Sequence, residues 1–222
     1  FNGDGLGDVA LLSFYDYNNS KRAVTVIYGS TDFPSLLTTA DLGSHGTVIH
    51  HAFKYDGFGN EFACAGDVNG DSFDDLLIGA DADDDKPDRA YLIYGGTDLP
   101  PVIEASSLGK YGMVIEGGSN SYLGMVLAAA GDVNRDGLAD FLLSRSLATV
   151  DGNSKAGIAY IVFGDRNLPE TIDVRSLGSR GITISGAEEG EALGALLAGP
   201  GDWDGDQYPE IAIGTSALRH EI

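Results

Sequence analysis

Residues 67–75 read Asp-Val-Asn-Gly-Asp-Ser-Phe-Asp-Asp, and this nine-residue pattern decides the fold because it returns along the chain. It recurs at residues 132–140, which read Asp-Val-Asn-Arg-Asp-Gly-Leu-Ala-Asp, and at residues 202–210, which read Asp-Trp-Asp-Gly-Asp-Gln-Tyr-Pro-Glu. Residues 2–8 fit positions 3 to 9 of an earlier copy, whose first position would precede Phe1. We call residues 2–8, 67–75, 132–140 and 202–210 acidic loops 1 to 4, with positions numbered 1 to 9.

The three complete acidic loops carry oxygen-bearing side chains at positions 1, 3, 5 and 9, and loop 1 carries them at positions 3, 5 and 9, around Gly and Asn residues that favour tight turns. Calcium takes six to eight oxygen ligands at about 2.3–2.6 Å. Positions 1, 3 and 5 can supply side chains, position 7 its backbone carbonyl, and the acid at position 9 can close the site with both oxygens. Such turns also form without a metal, but the fourfold register favours a cation site.

One calcium ion is predicted for each complete loop, and the first site is incomplete in this chain. The predicted ligands are Asn2, Asp4, Leu6 and Asp8; Asp67, Asn69, Asp71, Phe73 and Asp75; Asp132, Asn134, Asp136, Leu138 and Asp140; Asp202, Asp204, Asp206, Tyr208 and Glu210. Without a cation, carboxylates this close together repel one another and are pushed toward protonation.

The acidic loops differ from EF-hands in their flanking segments. An EF-hand needs Glu at loop position 12 and a helix on each side. Position 12 is instead Ile78, Leu143 or Ile213, each within a short apolar run that ends in Gly, Ser or Thr. Such runs after a turn predict strands, so the acidic loops are expected to connect strands rather than helices.

The repeat unit is larger than the acidic loop. Position 9 falls at residues 8, 75, 140 and 210, so the units are 65 to 70 residues long. Each unit also contains an apolar strand ending in Gly, as at Tyr94-Gly95, and a short strand after a second Gly, as at Gly112. The segments between them, such as residues 34–43, are expected to form at most one helical turn.

Four short strands per unit predict an all-β protein, a β-propeller of four-stranded antiparallel blades. The predicted units are 1–53 (an incomplete first blade with strands 2 to 4), 54–119, 120–188, and 189–222 (an incomplete fourth blade with strands 1 and 2). The acidic loops should all lie on one face, and the apolar runs should lie between blades.

These features resemble the FG-GAP repeat family, found in integrin alpha subunits and many bacterial surface proteins. Phe58-Gly59, Leu123-Gly124 and Leu193-Gly194 stand where the family has Phe-Gly, and Gly79-Ala80-Asp81 stands where it has Gly-Ala-Pro. The resemblance implies calcium-bearing blades and a seven-bladed propeller, of which about three and a half blades are present; the chain is therefore expected to be a fragment. Ser72 and Gln207 replace Gly at position 6, which predicts backbone strain in those two turns.

The charge of the chain indicates its location and disfavours some classes of partner. It has 34 acidic and 13 basic residues, a formal charge of −21. Four calcium ions would leave about −13, which disfavours nucleic acid and anionic lipid as partners. Weak calcium sites fill where calcium is millimolar, which favours an extracellular or cell-surface location.

No membrane-inserting run is apparent in the sequence. Cys64, the single cysteine, is predicted to be a buried apolar residue.

A second acidic cluster lies between two strands of one predicted blade, on the face opposite the acidic loops. It comprises Asp81, Asp83, Asp84, Asp85 and Asp88. In integrin-like propellers that opposite face binds ligands, which the resemblance implies here for residues 15–21, 80–89 and 145–156. The cluster is either a solvated loop or a contact for a basic partner or a further cation.

No catalytic constellation is apparent. His45, His50 and His51 lack further zinc ligands at a useful spacing, and adjacent strand residues point to opposite faces. Three interpretations remain: a calcium-stabilised binding module for protein or glycan, a structural repeat that packs against neighbouring copies in an extracellular filament or sheath, and an accessory propeller of a secreted hydrolase. The first is favoured, and in each the segment itself is not an enzyme.

Overall fold

The structure is a computed structural model that describes residues 1–16, 21–39, 41–53, 56–80, 87–119 and 122–216. It is an all-β structure with 43% of residues in strands. The strands are β1 (Val9–Asp16), β2 (Lys21–Ile27), β3 (Gly46–His50), β4 (Phe62–Gly66), β5 (Asp75–Ala80), β6 (Pro87–Ile93), β7 (Val102–Glu104), β8 (Gly112–Ser119), β9 (Leu127–Gly131), β10 (Asp140–Arg145), β11 (Ile158–Val162), β12 (Thr171–Asp173), β13 (Gly181–Ser185), β14 (Leu196–Gly201) and β15 (Glu210–Gly214).

The sheets are the predicted blades of a β-propeller. β1, β2 and β3 form an antiparallel meander; β4, β5, β6 and β8 form the second, β9, β10, β11 and β13 the third, and β14 pairs with β15. Acidic loops 2, 3 and 4 each connect the first strand of a blade to the second, as predicted. At each connection the register shifts, and a left-handed Gly opposes the position 9 acid: Gly66 and Asp75, Gly131 and Asp140, Gly201 and Glu210.

Two blades carry an additional strand that the sequence did not predict. β7 pairs in parallel with β3, and β12 pairs in parallel with β8, so each added strand comes from the following repeat. The expectation of at most one helical turn in these segments was therefore wrong. Each contains a three-residue strand, followed by short 3-10 turns at Gly109–Tyr111, Val174–Ser176 and Gly178–Arg180. The central side chains Ile103 and Ile172 are buried, which explains why these short segments stay on the sheet.

Apolar side chains on both faces of the middle strands fill the spaces between blades, as predicted. Leu77 and Leu92 belong to a cluster shared with Leu143 of the third blade. Ile78 and Tyr91, on the opposite face of the same sheet, pack in a cluster with residues of the first blade. Because a strand alternates its side chains between two faces, one blade contributes to two cores. The blades are thus held together by hydrophobic packing.

Close backbone contacts join neighbouring repeats at the Phe-Gly positions. A Cβ atom on Gly79 in β5 would lie 2.0 Å from the carbonyl oxygen of Gly124, the Phe-Gly glycine of the next repeat. At the next junction Ser144 occupies the position of Gly79, and a Cβ atom on Gly194 would lie 2.6 Å from the Ser144 Cβ atom. One member of each pair must therefore lack a side chain. This explains why glycine occurs at both motifs.

Cys64 is exposed, so the prediction of a buried cysteine was wrong. It lies in β4, the edge strand of its sheet, and lines an open groove together with Ala10 and Phe62. Its strand was predicted correctly, but the face of β4 that carries Cys64 borders this open groove and is therefore not covered by packing.

Candidate metal centre

Each acidic loop folds around its own side-chain oxygens. In loop 2, Asp67 accepts hydrogen bonds from the backbone N–H groups of Gly70, Asp71 and Ser72, at 2.7, 3.0 and 2.8 Å. Asn69 Oδ1 accepts from Asp71 N at 2.9 Å, and Asp71 Oδ1 accepts from Phe73 N at 2.9 Å. These bonds turn the side chains of positions 1, 3 and 5 toward the inside of the loop.

The same bonding pattern recurs in the other loops. Position 5 accepts from the position 7 N–H in loops 1, 3 and 4, at Leu6, Leu138 and Tyr208. Position 3 accepts from the position 5 N–H in all four loops. The repeated sequence spacing therefore produces one repeated local structure.

Two positions of the loop adopt left-handed backbone angles. At position 6, Ser72 has a φ angle of 75° and Gln207 one of 74°, so the strain predicted for these residues is present. A side chain in this conformation costs roughly 1–2 kcal/mol relative to glycine. The residue at position 4 is left-handed as well. It is Gly in three loops, but in loop 3 it is Arg135, with a φ angle of 61°. The strain at Arg135 was not predicted.

The acid at position 9 ties the loop to a distant part of its blade. Asp75 Oδ2 accepts from Val68 N at 3.0 Å, and its Oδ1 accepts from Gly95 N at 3.0 Å, just beyond β6. Asp140 makes the equivalent bonds to Val133 N and Gly164 N, at 2.9 and 2.8 Å. Both acids are buried. Position 9 is thus a structural clamp as well as a candidate ligand, a role that sequence spacing alone did not reveal.

Burial makes the ionised form of these acids unfavourable. Burial raises the pKa of Asp75 to about 7. The charges of Asp71 and Asp67 also raise this pKa, whereas the hydrogen bonds from backbone N–H groups lower it. Burial likewise raises the pKa of Asp140 to about 6, with Asp136 and Asp132 contributing in the same direction. A bound cation would favour the ionised forms, because it replaces mutual repulsion by attraction.

We expect the metal-free protein to lose stability as the pH rises from about 4 to about 7. Asp75 and Asp140 have folded-state pKa values of about 7 and about 6, above the unfolded value of 3.8, so the native state binds more protons in this window. Urea unfolding at about pH 5 and about pH 8 in calcium-free buffer checks this. The loss of stability between the two pH values should be smaller in Asp75→Asn. A stability that rises with pH would contradict the conclusion that burial raises the pKa of these acids.

Loop 4 brings the four acids of its pattern together. Ligand atoms of Asp202, Asp204, Asp206 and Glu210 lie within 4.8 Å of one another. Within the described ranges this is the one group of three or more His, Cys, Asp or Glu side chains so arranged. Loops 2 and 3 have an amide, Asn69 or Asn134, at position 3 instead of an acid. An all-oxygen donor set of carboxylates, amides and carbonyls fits a hard cation such as calcium.

The second acidic cluster is only partly within the described residues. Asp81, Asp83, Asp84 and Asp85 lie outside them. Asp88 is 1% exposed and accepts a hydrogen bond from Tyr122 N at 2.5 Å, so it joins β6 to the next repeat and does not belong to an exposed acidic surface. Here the sequence prediction is corrected: alternation along β6 turns Asp88 inward.

The histidines considered for zinc have structural contacts. His50 Nδ1 lies 2.9 Å from Glu104 of β7, across the parallel strand pair. His51 Nδ1 lies 2.6 Å from the carbonyl oxygen of Phe53 and 3.9 Å from a carboxylate oxygen of the buried Asp56. These contacts join the first blade to residues of the second repeat.

Comparison with known proteins places the loop pattern in a family. Residues 59–94, from the Phe-Gly glycine through loop 2 to the end of β6, match the FG-GAP repeat. The chain carries an FG-GAP repeat. The recurrence of loop geometry in the other blades agrees with this assignment, because FG-GAP residues such as Gly59 have counterparts at Gly124 and Gly194.

Known proteins similar to this chain include integrin alpha subunits. The chain is 33% identical over 168 residues to integrin alpha-PS2 of Drosophila melanogaster, covering 71% of the chain and 11% of the relative. It is 27% identical over 227 residues to integrin alpha pat-2 of Caenorhabditis elegans, covering 96% and 17%. For human integrin alpha-7 the identity is 29% over 174 residues, covering 72% and 12%. The chain thus spans less than a fifth of the length of these relatives.

Proposed function

We propose that this chain is a non-catalytic, calcium-stabilised segment of an extracellular β-propeller that acts in adhesion or ligand binding at the cell surface. The observation that carries the proposal is the repetition of one loop structure on one face of successive blades. Carboxylates are concentrated there at a density that a hard cation would neutralise. The similarity to integrin alpha subunits supports the same conclusion.

Calcium would be held in loops 2, 3 and 4 by the residues predicted from sequence, with an incomplete site in loop 1. When bound, the ion supplies positive charge that neutralises the carboxylates of the loop. The protein positions these oxygens with its own N–H groups, as where Asp71 Oδ1 accepts from Phe73 N. Through Asp75 and Asp140, loops 2 and 3 are also tied to the end of the third strand of their blades. Calcium would therefore stabilise the blade rather than act on a substrate.

Two ion pairs outside the acidic loops are used by the fold and not for catalysis. Arg89 pairs with Glu116 at 2.8 Å, and Arg175 pairs with Asp173 at 2.6 Å. These pairs join β6 to β8 and hold the end of β12, so the charges serve the fold. Acid and base catalysis needs groups directed at a common substrate position, and these pairs are directed at each other.

The proposed setting is outside the cell, and the proposed partners are a protein or glycan ligand or neighbouring copies. The net charge of −21 argues against nucleic acid. In the described part of the chain, no helical segment has the length and apolar character needed to cross a membrane. The blade boundaries after residues 53, 119 and 188, and a ligand face formed by residues 15–21, 80–89 and 145–156, belong to this proposal.

Calcium should raise the melting temperature of the protein. Extracellular-type sites have dissociation constants of about 10⁻⁴–10⁻³ M, so about 1 mM calcium should contribute about 0.4–1.4 kcal/mol per site. Three sites should raise the melting temperature by roughly 5 °C, measured by calorimetry in calcium-free and calcium-containing buffer. Magnesium should do less, because it gives up its water ligands reluctantly.

Matched variants separate metal binding from a general charge effect. Asp136→Ala should lose about a third of the rise in melting temperature caused by calcium, because one of three complete sites is removed. Glu170→Ala removes the same charge from an exposed position outside the acidic loops and should keep the full gain. An equal response of the two variants would contradict the proposed sites.

A further inference from the structure

Adjacent acidic loops touch at equivalent positions along the propeller. The ring of Phe73, position 7 of loop 2, packs on Gly3, position 4 of loop 1, where a Cβ atom would lie 2.2 Å from it. Leu138, position 7 of loop 3, packs in the same way on Gly70, position 4 of loop 2, with 2.9 Å to such a Cβ atom. Position 4 of one loop therefore supports position 7 of the next.

The junction of loops 3 and 4 has the same contact, made by a side chain. Arg135 occupies position 4 of loop 3, and its guanidinium carbon lies 4.4 Å from the ring centroid of Tyr208, position 7 of loop 4. Arg135 also keeps a left-handed backbone at a position that is Gly in the other three loops. A strained residue persists only where its surroundings favour it, and here its side chain reaches across to the neighbouring loop.

Position 7 has a second role in each loop. Its N–H is bound by the position 5 carboxylate, as between Tyr208 and Asp206 at 2.8 Å, and its carbonyl is the expected backbone ligand. The side chain of the position 7 residue thus packs against the preceding loop, whereas its backbone belongs to its own loop. Ordering of the preceding loop would therefore hold the following loop in its binding geometry.

We propose that Arg135 and Tyr208 are positioning residues that couple the calcium sites of loops 3 and 4, so that filling loop 3 tightens binding to loop 4. This inference rests on the proposed calcium function. Coupling is reciprocal, so filling loop 4 tightens loop 3 by the same factor. The energy of one exposed cation–π contact corresponds to a change in calcium affinity of about threefold.

The chain contains a built-in reporter for loop 4. Trp203 is its single tryptophan, stands at position 2 of loop 4, and is 80% exposed. The backbone N–H of Trp203 donates a hydrogen bond to the Glu210 carboxylate of the same loop. Trp203 fluorescence should therefore follow calcium entry into loop 4 without a contribution from tryptophans elsewhere.

The test is a double-mutant cycle read by Trp203 fluorescence during a calcium titration of the protein. Asp136→Ala, which disables loop 3, should raise the calcium midpoint of loop 4 about threefold. In a Tyr208→Ala background the same substitution should leave the midpoint unchanged, whereas in Tyr208→Phe, which keeps the ring, the threefold shift should remain. Phe73→Ala alters the junction of loops 1 and 2 and should also preserve the shift.

The outcomes distinguish the inference from the proposed function. A calcium response of Trp203 with no shift on Asp136→Ala would overturn the coupling and leave the calcium site standing. An equal shift with and without the Tyr208 ring would assign coupling to another route and would likewise overturn the role of this pair. If neither Trp203 fluorescence nor calorimetry detects calcium, the proposed function itself is contradicted.

Discussion

Replacing Gly79 by alanine should destabilise the protein by about 3 kcal/mol or more, measured by urea unfolding in the presence of calcium. The added Cβ atom would lie 2.0 Å from the carbonyl oxygen of Gly124, far inside van der Waals contact. That oxygen belongs to the backbone, so relief requires the Phe-Gly turn of the third repeat to move away from β5. Insertion of a methyl group into a packed site costs about 1–3 kcal/mol, more when a backbone must shift.

The matched control is Ser144→Ala at the equivalent position of the next blade. Ser144 already has a Cβ atom, and its hydroxyl donates to the carbonyl oxygen of Gly194 at 2.8 Å. Loss of this bond should cost only about 1 kcal/mol. If Gly79→Ala is no more destabilising than Ser144→Ala, the close approach of successive repeats is not needed for stability.

Replacing Asp75 by alanine should cost about 4 kcal/mol even without calcium. Asp75 is 1% exposed and accepts hydrogen bonds from Val68 N and Gly95 N, both at 3.0 Å. Each buried N–H group left without an acceptor costs about 1–3 kcal/mol. The measurement is urea unfolding of the metal-free variant at about pH 5, where the carboxyl is largely protonated in the parent protein.

Asp71→Ala tests whether this loss reflects the fold or the metal. Asp71 is in the same loop but exposed, so its removal from the metal-free protein should cost less than about 1 kcal/mol. Both variants should lose the calcium site of loop 2. Equal losses of stability in metal-free buffer would refute a clamp role for Asp75.

Much of this architecture could be predicted from the chain because its signals repeat. The acidic loops come after short strands, and the left-handed angles at Ser72 and Gln207 occur where a glycine is replaced. The apolar runs after each loop, such as residues 76–78, lie between blades as expected. Repetition is informative here because one physical rule is tested several times within a single sequence.

Other features arise from contacts between repeats and leave a weak sequence signal. β7 and β12 are three residues long, too short for a recognisable period, and they exist because Ile103 and Ile172 reach the preceding blade. The sequence groups Asp88 with an acidic surface loop, yet Asp88 is buried and accepts a hydrogen bond from Tyr122 N of the next repeat. Cys64 lies on an edge strand whose exposure depends on what neighbours it. Such features depend on distant residues.

The proposed function depends above all on calcium binding by the acidic loops. Isothermal titration of calcium into the chelator-treated protein tests it directly, with Asp136→Ala titrated beside the parent chain. We expect at least three sites in the parent protein, one for each complete loop, and one fewer in the variant with the others retained. Absence of calcium heat in the folded parent protein, or an unchanged number of sites in Asp136→Ala, would contradict it.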